Sequence, residues 1–481
     1  MNSWFEVDRD GLRQLMEGRD KSFVIRELVQ NAWDEPGVTC CNVTLEALKD
    51  GLARVVVEDD APEGFSDLRH AYTLYAHTRK RSSAEKRGRF NLGEKEVLAL
   101  CRSARIVTTK GTVEFLPDGK RRQTKACRDS GSVFDAVISM THQEIDACSK
   151  AVRTFLPPAG VKTTFNGQEV CYREPLAEVE AKLVTEFEDK EGRFRGTVRK
   201  AAIMVYKPMA GERAMIYEMG LPITETGDKW HYDIQQRVPL NSGRDTVRAA
   251  YLQDVRAEVV NALAAQLTEE DAGSAWVRDA AGDERIKPET LSKVAELRWG
   301  EKRAVAFPGD SEARDKALAA GFHLVTPREM SAAEWEQMRK AGCVPSASVL
   351  FPQPKAAEKP IPEKQWTEAQ RKVADLTKRI ARLTLGLGVT VKMFASDGPT
   401  AADYARETKV LRFNAARLGK AWFSGPLEPV IQIVIHELGH EYGGHISEEY
   451  YEGLAKLGAK LALREPKEFL NGLVGGRKGR S

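Results

Sequence analysis

The chain has 481 residues, 30% of them charged and 42% hydrophobic, and a net charge of +3. At roughly 150 residues per domain this predicts about three domains and excludes a collagen-like, a fully disordered or a small disulfide-built chain. So even a charge argues against a dedicated polyanion binder, no run nears the ~18 apolar residues of a membrane span, and seven scattered cysteines without a CxxC pair read as free thiols of the cytoplasm. The polar N-terminus, MNSWFEVDRD, has no signal-peptide core.

Residues 21–33 read as an amphipathic helix. Residues 38–45 and 52–58 read as adjacent strands, with turn chemistry at 49–51. A helix-like stretch, 66–77, leads into the polar run TRKRSSAEKRGRFNLGEK. Strands at 104–109 and 112–116 predict a hairpin, and with it a mixed sheet with helices on one side. Strands at 198–206 and 214–220 and a helix at 246–267 belong to a second unit. Between 271 and 351 the pattern is strand, helix, strand, helix, a small βαβα unit. The run PQPKAAEKPIPEKQ reads as an extended Pro/Lys linker. A helix (367–385), a strand (389–395), LRFNAARL and a histidine-bearing helix follow. The fold class is therefore α+β multidomain, with segments 1–170, 171–270, 271–351, a linker at 352–366, and 367–481.

The segment VIQIVIHELGHEYGGHISEEYYEGL places His436, Glu437, His440 and His445 close together. A chance HExxH in this composition is expected roughly 0.01 times. On a helix, positions i and i+4 share a face, so His436 and His440 can reach one tetrahedral Zn²⁺. Glu437 stands beside that metal, where it can take a proton from the bound water and pass it to a leaving amine. The third ligand stays open: Gly443-Gly444 breaks the helix and lets His445 fold back, while Glu448 or Glu449, and further on Glu465 or Glu468, are alternatives.

At the other end, Glu27, Asn31 and Asp34 stand at i, i+4 and i+7 on one helical face. A carboxylate beside a carboxamide suits Mg²⁺, which keeps several waters and few protein ligands. DDAPEGF (59–65) then follows a strand, and the glycine-rich segment from Gly88 through Gly93 to Lys95 comes after it.

Two resemblances follow from these motifs. Over about residues 367–465 the chain resembles the zincin metallopeptidases. That likeness implies a zinc-dependent peptidase and reads LRFNAARL as the edge strand that binds extended substrate. Tyr442, Tyr450 or Tyr451 would be the oxyanion donor. Over about residues 10–170 the order of boxes resembles the GHKL ATPases, whose Bergerat fold is an α/β sandwich. The resemblance implies ATP and Mg²⁺ as cofactors. Glu27 would orient or activate water and Asn31 would bind Mg²⁺. Asp59 or Asp60 would accept from the adenine amino group, and the glycine spacing favours Asp60. Gly64 would line the base pocket. Gly88, Gly93 and Lys95 would meet the phosphates, with Thr78 and Lys80 as a lid element. Ser132 or Thr164 would stand for the family's late threonine.

The same resemblance makes 171–270 transducer-like, with Arg237 or Arg244 reaching the γ-phosphate. It also implies an ATP-dependent homodimer. Because both sites share one chain, closure of 78–95 on nucleotide is expected to alter access to the zinc cleft. The alternative reading is an ATP-driven clamp on DNA or protein with a structural zinc. The basic clusters at 79–89 and 119–125 can contact nucleic acid, but no aromatics interleave with them. The first reads better as a phosphate-facing lid, the second as a solvated hairpin.

Overall fold

The computed structural model describes residues 8–64, 67–76, 83–88, 92–188, 194–241, 245–306, 311–352, 357–445 and 447–463. They form a mixed α/β chain that divides into two compact units, residues 1–303 with 325–345 and residues 304–324 with 346–481.

In the first unit, helices α1 (Arg9–Glu17) and α2 (Ser22–Trp33) precede strands β1 (Cys40–Ala47) and β2 (Leu52–Asp59). Asp50 and Gly51 take positive φ in the turn that joins these strands. Helix α3 (Gly93–Leu100), strands β3 (Cys101–Thr108), β4 (Gly111–Phe115), β5 (Arg121–Thr124) and β6 (Val133–Ser139), helix α4 (His142–Val152), and strands β7 (Lys162–Phe165) and β8 (Gln168–Glu169) follow. The eight strands run in the order β5-β4-β3-β6-β2-β1-β7-β8. All neighbours are antiparallel except β1 and β7.

Alternation decides which side chains face the core. On β2, Ala53, Val55 and Val57 are buried and Asp59 continues the same set, whereas Arg54 points outward to Asp135 at 2.8 Å. Phe23, Ile25, Leu28 and Val29 of α2 share one core with Val43, Val55, Ile106 and Ile138 of the sheet. Each such burial contributes about 1.5–3 kcal/mol. The helix predicted over 66–77 is reduced, among the described residues, to one 3₁₀ turn, Leu68–Ala71, capped by Asp67. Ala71 is buried there, and Leu68 and Tyr72 pack against the same core.

A second sheet lies in the same unit. Its strands are β9 (Ala177–Glu188), β10 (Phe194–Tyr206), β11 (Met215–Glu218), β12 (Leu221–Glu225) and β13 (His231–Ile234), in the order β12-β11-β13-β10-β9. The sequence reading finds β10 and β11 and passes over β9, where Val179, Ala181 and Leu183 alternate with Glu and Lys. Helices α5 (Ala249–Leu263), α6 (Glu269–Gly273), α7 (Ala275–Ala281) and α8 (Pro288–Trp299) come next. β14 (Arg303–Val305), α9 (Ser311–Ala319), β15 (His323–Val325) and α10 (Ala332–Lys340) keep the predicted order of strand, helix, strand, helix. They do not form one connector: α10 packs on α7 and α8 in the first unit, while α9 packs with α11 (Ala347–Leu350) in the second.

The second unit continues with β16 (Lys359–Ile361), α12 (Glu368–Leu385), β17 (Thr390–Ala395), β18 (Ala402–Ala405), β19 (Val410–Asn414), α13 (Ala415–Ser424), α14 (Leu427–Gly439) and α15 (Glu448–Leu463). Its sheet runs β16-β17-β19-β18. Two expectations change here. Part of the predicted linker is an edge strand, antiparallel to β17, and an edge tolerates Pro360 because one side of the strand needs no N–H. LRFNAARL is not an edge: β19 lies between β17 and β18, with Leu411 and Phe413 fully buried, so the edge beside it is β18. Val373, Leu376 and Ile380 of α12 meet Val430, Val434 and Leu438 of α14 and Leu457 of α15 in one core. No helix among the described residues is long and apolar enough to cross a membrane.

Candidate metal centre and ligand cavity

A cavity of about 520 Å³ in the first unit is lined by Asn31, Asp34, Asp59, Gly64, Gly88 and Ser132, together with Leu28, Val57, Ile106 and Phe134. The volume suits a small-molecule ligand, and the lining has the usual apolar walls with a few convergent polar groups. Asp59 ends the inward set of β2 and is 6% exposed; the Ala61 N–H donates to its carboxylate at 3.0 Å. Burial pushes its pKa up to about 6. Asp60 points the other way. It accepts from the Thr39 and Cys40 N–H groups at 2.8 Å each and from the Thr39 hydroxyl at 2.5 Å. Burial opposes its ionisation, and these hydrogen bonds outweigh it, so its pKa is lowered. Of the two carboxylates, Asp59 therefore faces the cavity and the lean towards Asp60 falls away. The alternation Ala53, Val55, Val57, Asp59 was the signal that could have decided it.

Gly64 has φ +57, and a Cβ there would lie 2.9 Å from Thr109 Oγ1. Ser132 supplies the carbonyl that accepts the Asp59 N–H at 3.0 Å. Thr164 bonds Asn42 at 2.8 Å and is not among the lining residues. Glu27, one turn before Asn31, is buried, and its carboxyl lies so close to Gly93 that no Cβ fits at 93. Glu27, Gly93 and Lys95 do not line the cavity. Successive residues on a helix point about 100° apart, and here Glu94 faces the cavity while Lys95 is buried and pairs with Glu94 at 3.1 Å. Thr78, Lys80 and Arg244 lie outside the described residues.

The basic cluster 79–89, expected as a phosphate-facing lid, contains Lys86, which the sequence alone does not single out. Lys86 lines the cavity and donates to the Asp34 carbonyl at 2.7 Å. Its neighbours form an anchor. The buried Asp34 carboxylate accepts from Arg87 Nη1 and from the Gly88 N–H, both at 2.9 Å. Arg87 Nε donates to the Met219 carbonyl at 2.9 Å, beyond the end of β11. Arg237, fully buried, donates to the carbonyls of Lys86 at 2.6 Å and Gly88 at 2.5 Å. Segment 83–88 is thus held to the end of α2 and to the loops beside the second sheet, and Arg237 serves the backbone there.

In the second unit, the ligand atoms of His436, His440 and His445 lie within 4.8 Å of one another. Helix α14 ends at Gly439, and the turn through Gly443 and Gly444 brings His445 back. His445 Nε2 is 3.0 Å from His436 Nε2. Tetrahedral ligands at ~2.0–2.1 Å from zinc are roughly 3.3 Å apart, so the spacing fits. Both Nδ1 atoms of the HExxH pair are engaged, His440 with the Gly443 carbonyl at 3.2 Å and His436 with the Tyr450 hydroxyl at 2.9 Å. Such outer contacts turn Nε2 towards a metal. Glu437 is 7% exposed, and its carboxyl accepts no hydrogen bond from the described residues. Burial first, then the charge of Asp403, pushes its pKa up to about 8. Glu448 and Glu449 are exposed at the start of α15 and stand outside the cluster; Glu465 and Glu468 lie outside the described residues. Of the tyrosines, Tyr451 is 58% exposed, Tyr442 packs on Gly453, and Tyr450 is buried against the histidines.

Neither a protein-family model nor a curated protein matches the sequence. Among solved structures, the chain is similar to the N-terminal domain of a DNA repair protein, with 13% identity and a TM-score of 0.31, over 49% of this chain and 91% of that one. It is also similar to the ATPase region of Saccharomyces cerevisiae topoisomerase II, with 10% identity and a TM-score of 0.31, over 47% and 77% of the two chains. At such scores neither likeness bears on the chemistry, which rests on the residues themselves.

Proposed function

We propose that the protein combines a GHKL-type, Mg²⁺-dependent ATP-binding module in its first unit with a zinc-dependent peptidase centre in its second. One observation carries the reading: in each unit, residues picked out by motif and spacing converge. Asn31, Asp59, Gly64, Gly88 and Ser132 surround one cavity, and three histidines close on one point.

In the cavity, Asp59 accepts from the adenine amino group and Gly64 leaves room for the ring. Asn31 would hold Mg²⁺, whereas Glu27, one turn away and buried against Gly93, does not reach the cavity. The cation near the phosphates is Lys86 rather than Lys95. In the second unit, His436, His440 and His445 would hold Zn²⁺. The donor set fits that ion, since three imidazoles leave a position for water or substrate. Bound there, the ion supplies Lewis acidity to the scissile carbonyl and to a water. Glu437 stands next to the cluster without a hydrogen-bond partner among the described residues. The charge of a bound ion would favour the ionised form of Glu437 against the burial that raises its pKa, and the carboxylate takes the proton of the attacking water and hands it to the departing amine.

Two measurements test this reading. Calorimetric titration with Mg²⁺ and a non-hydrolysable ATP analogue gives one site per chain in the wild type and weaker binding for Asp59→Asn. Glu437→Gln keeps zinc and loses peptide hydrolysis; hydrolysis unchanged by that substitution removes the peptidase assignment and leaves a structural zinc.

A further inference from the structure

We propose that Tyr450 is the positioning residue of the metal centre: its phenol fixes the ring of His436 and keeps the proton on Nδ1, so that Nε2 is the donor to the metal. The inference rests on the zinc reading of the cluster and goes beyond its ligands. The Tyr450 oxygen lies 2.9 Å from His436 Nδ1 and 3.2 Å from the His436 carbonyl oxygen. A carbonyl only accepts, and a phenol has one hydrogen. With that hydrogen on the carbonyl, Nδ1 must donate to the phenol oxygen, and Nε2 carries a bare lone pair. The opposite assignment puts a proton on Nε2 and closes the site to a cation.

The surroundings are built for this ring. Tyr450 is 2% exposed, tilted against His440 at 5.0 Å between centroids and edge-on to His445 at 5.2 Å. Within HELGH the penultimate residue is Gly439, and a Cβ there would lie 2.8 Å from Tyr450 Cε2 and 2.7 Å from Leu454 Cδ2. Glycine at 439 is therefore what lets the ring cross α14 and reach His436. The two motif histidines differ in this respect. His440 is held by a backbone carbonyl three residues on, in its own turn, whereas His436 depends on a side chain from another helix.

The test compares the full-length wild type with Tyr450→Phe, which keeps the ring and removes only the hydroxyl. Zinc affinity, read by competition with a chromophoric chelator, falls about 10- to 100-fold. The visible d–d bands of the cobalt-substituted protein shift as the His436 ring is released. Gly439→Ala, which displaces the ring, weakens zinc in the same way. Equal affinity and an unchanged cobalt spectrum in Tyr450→Phe overturn the inference, although wild-type zinc binding stands. A wild type that binds no zinc overturns the underlying reading instead. Should the variants fail to fold, long-range proton–nitrogen spectra of the zinc-loaded wild type decide. A proton on His436 Nδ1 is expected, and one on Nε2 contradicts the proposal.

Discussion

The cavity of the first unit and the histidine cluster of the second are assembled in opposite ways. His436, His440 and His445 come from ten consecutive residues, placed by one helix end and one turn. The cavity takes Asn31 from a helix, Asp59 from the end of a strand, Gly64 and Gly88 from loops, and Ser132 from just before another strand, a span of about a hundred residues. A local site depends on helix geometry and a few packing contacts. A dispersed site depends on the register of the whole sheet and on the buried arginines that anchor its rim. The two should therefore fail differently when residues are changed.

The sharpest break is expected at Glu437. Glu437→Gln lowers peptide hydrolysis about 10²- to 10⁴-fold, while zinc content and nucleotide binding stay at wild-type values. Next comes the anchor. Arg87→Ala leaves the buried Asp34 without its charge partner, which costs about 3–5 kcal/mol. Urea unfolding should show the first unit's transition moved down and zinc affinity untouched; a loss shared by both units would blur the contrast drawn here.

A third effect is a pH dependence. Asp59 titrates at about 6 in the folded protein against an ordinary 3.8. The folded state then holds the proton between those values, so stability falls as pH rises through the window. Above pH 6 the ionised carboxylate costs up to about 3 kcal/mol. Asp59→Asn should abolish that fall, raising stability at pH 7 relative to wild type, and weaken the ATP analogue by roughly 10- to 100-fold. The smallest effect is local: Gly64→Ala, at φ +57 and against Thr109, costs about 1–2 kcal/mol. It reduces nucleotide affinity without moving the zinc site.

The same contrast explains what was legible beforehand. HExxH spacing maps directly onto one helix face, so the histidines could be paired from sequence, and Gly443-Gly444 pointed to His445. Tyr450 could not be singled out from Tyr442 and Tyr451, because its role depends on how α15 crosses Gly439. In the first unit, the helix at 22–33 and strands β1 to β4 were readable from periodicity. Glycine spacing favours Asp60, whereas strand alternation turns Asp59 inward. Motif order puts Lys95 on the phosphates, yet the angular step from Glu94 turns it away. Residues 359–361 looked like linker because Pro and Lys mark loops, and only pairing with β17 makes them an edge strand. The strand β19 owes its central place to β18, a four-residue segment too short to announce itself.

Native mass spectrometry of the full-length chain with zinc, Mg²⁺ and a non-hydrolysable ATP analogue tests the central claim most directly. The account predicts one zinc and one nucleotide per chain, with His436→Ala losing only the zinc and Asp59→Asn losing only the nucleotide. A wild type carrying neither adduct, or a single substitution that removes both, would contradict it.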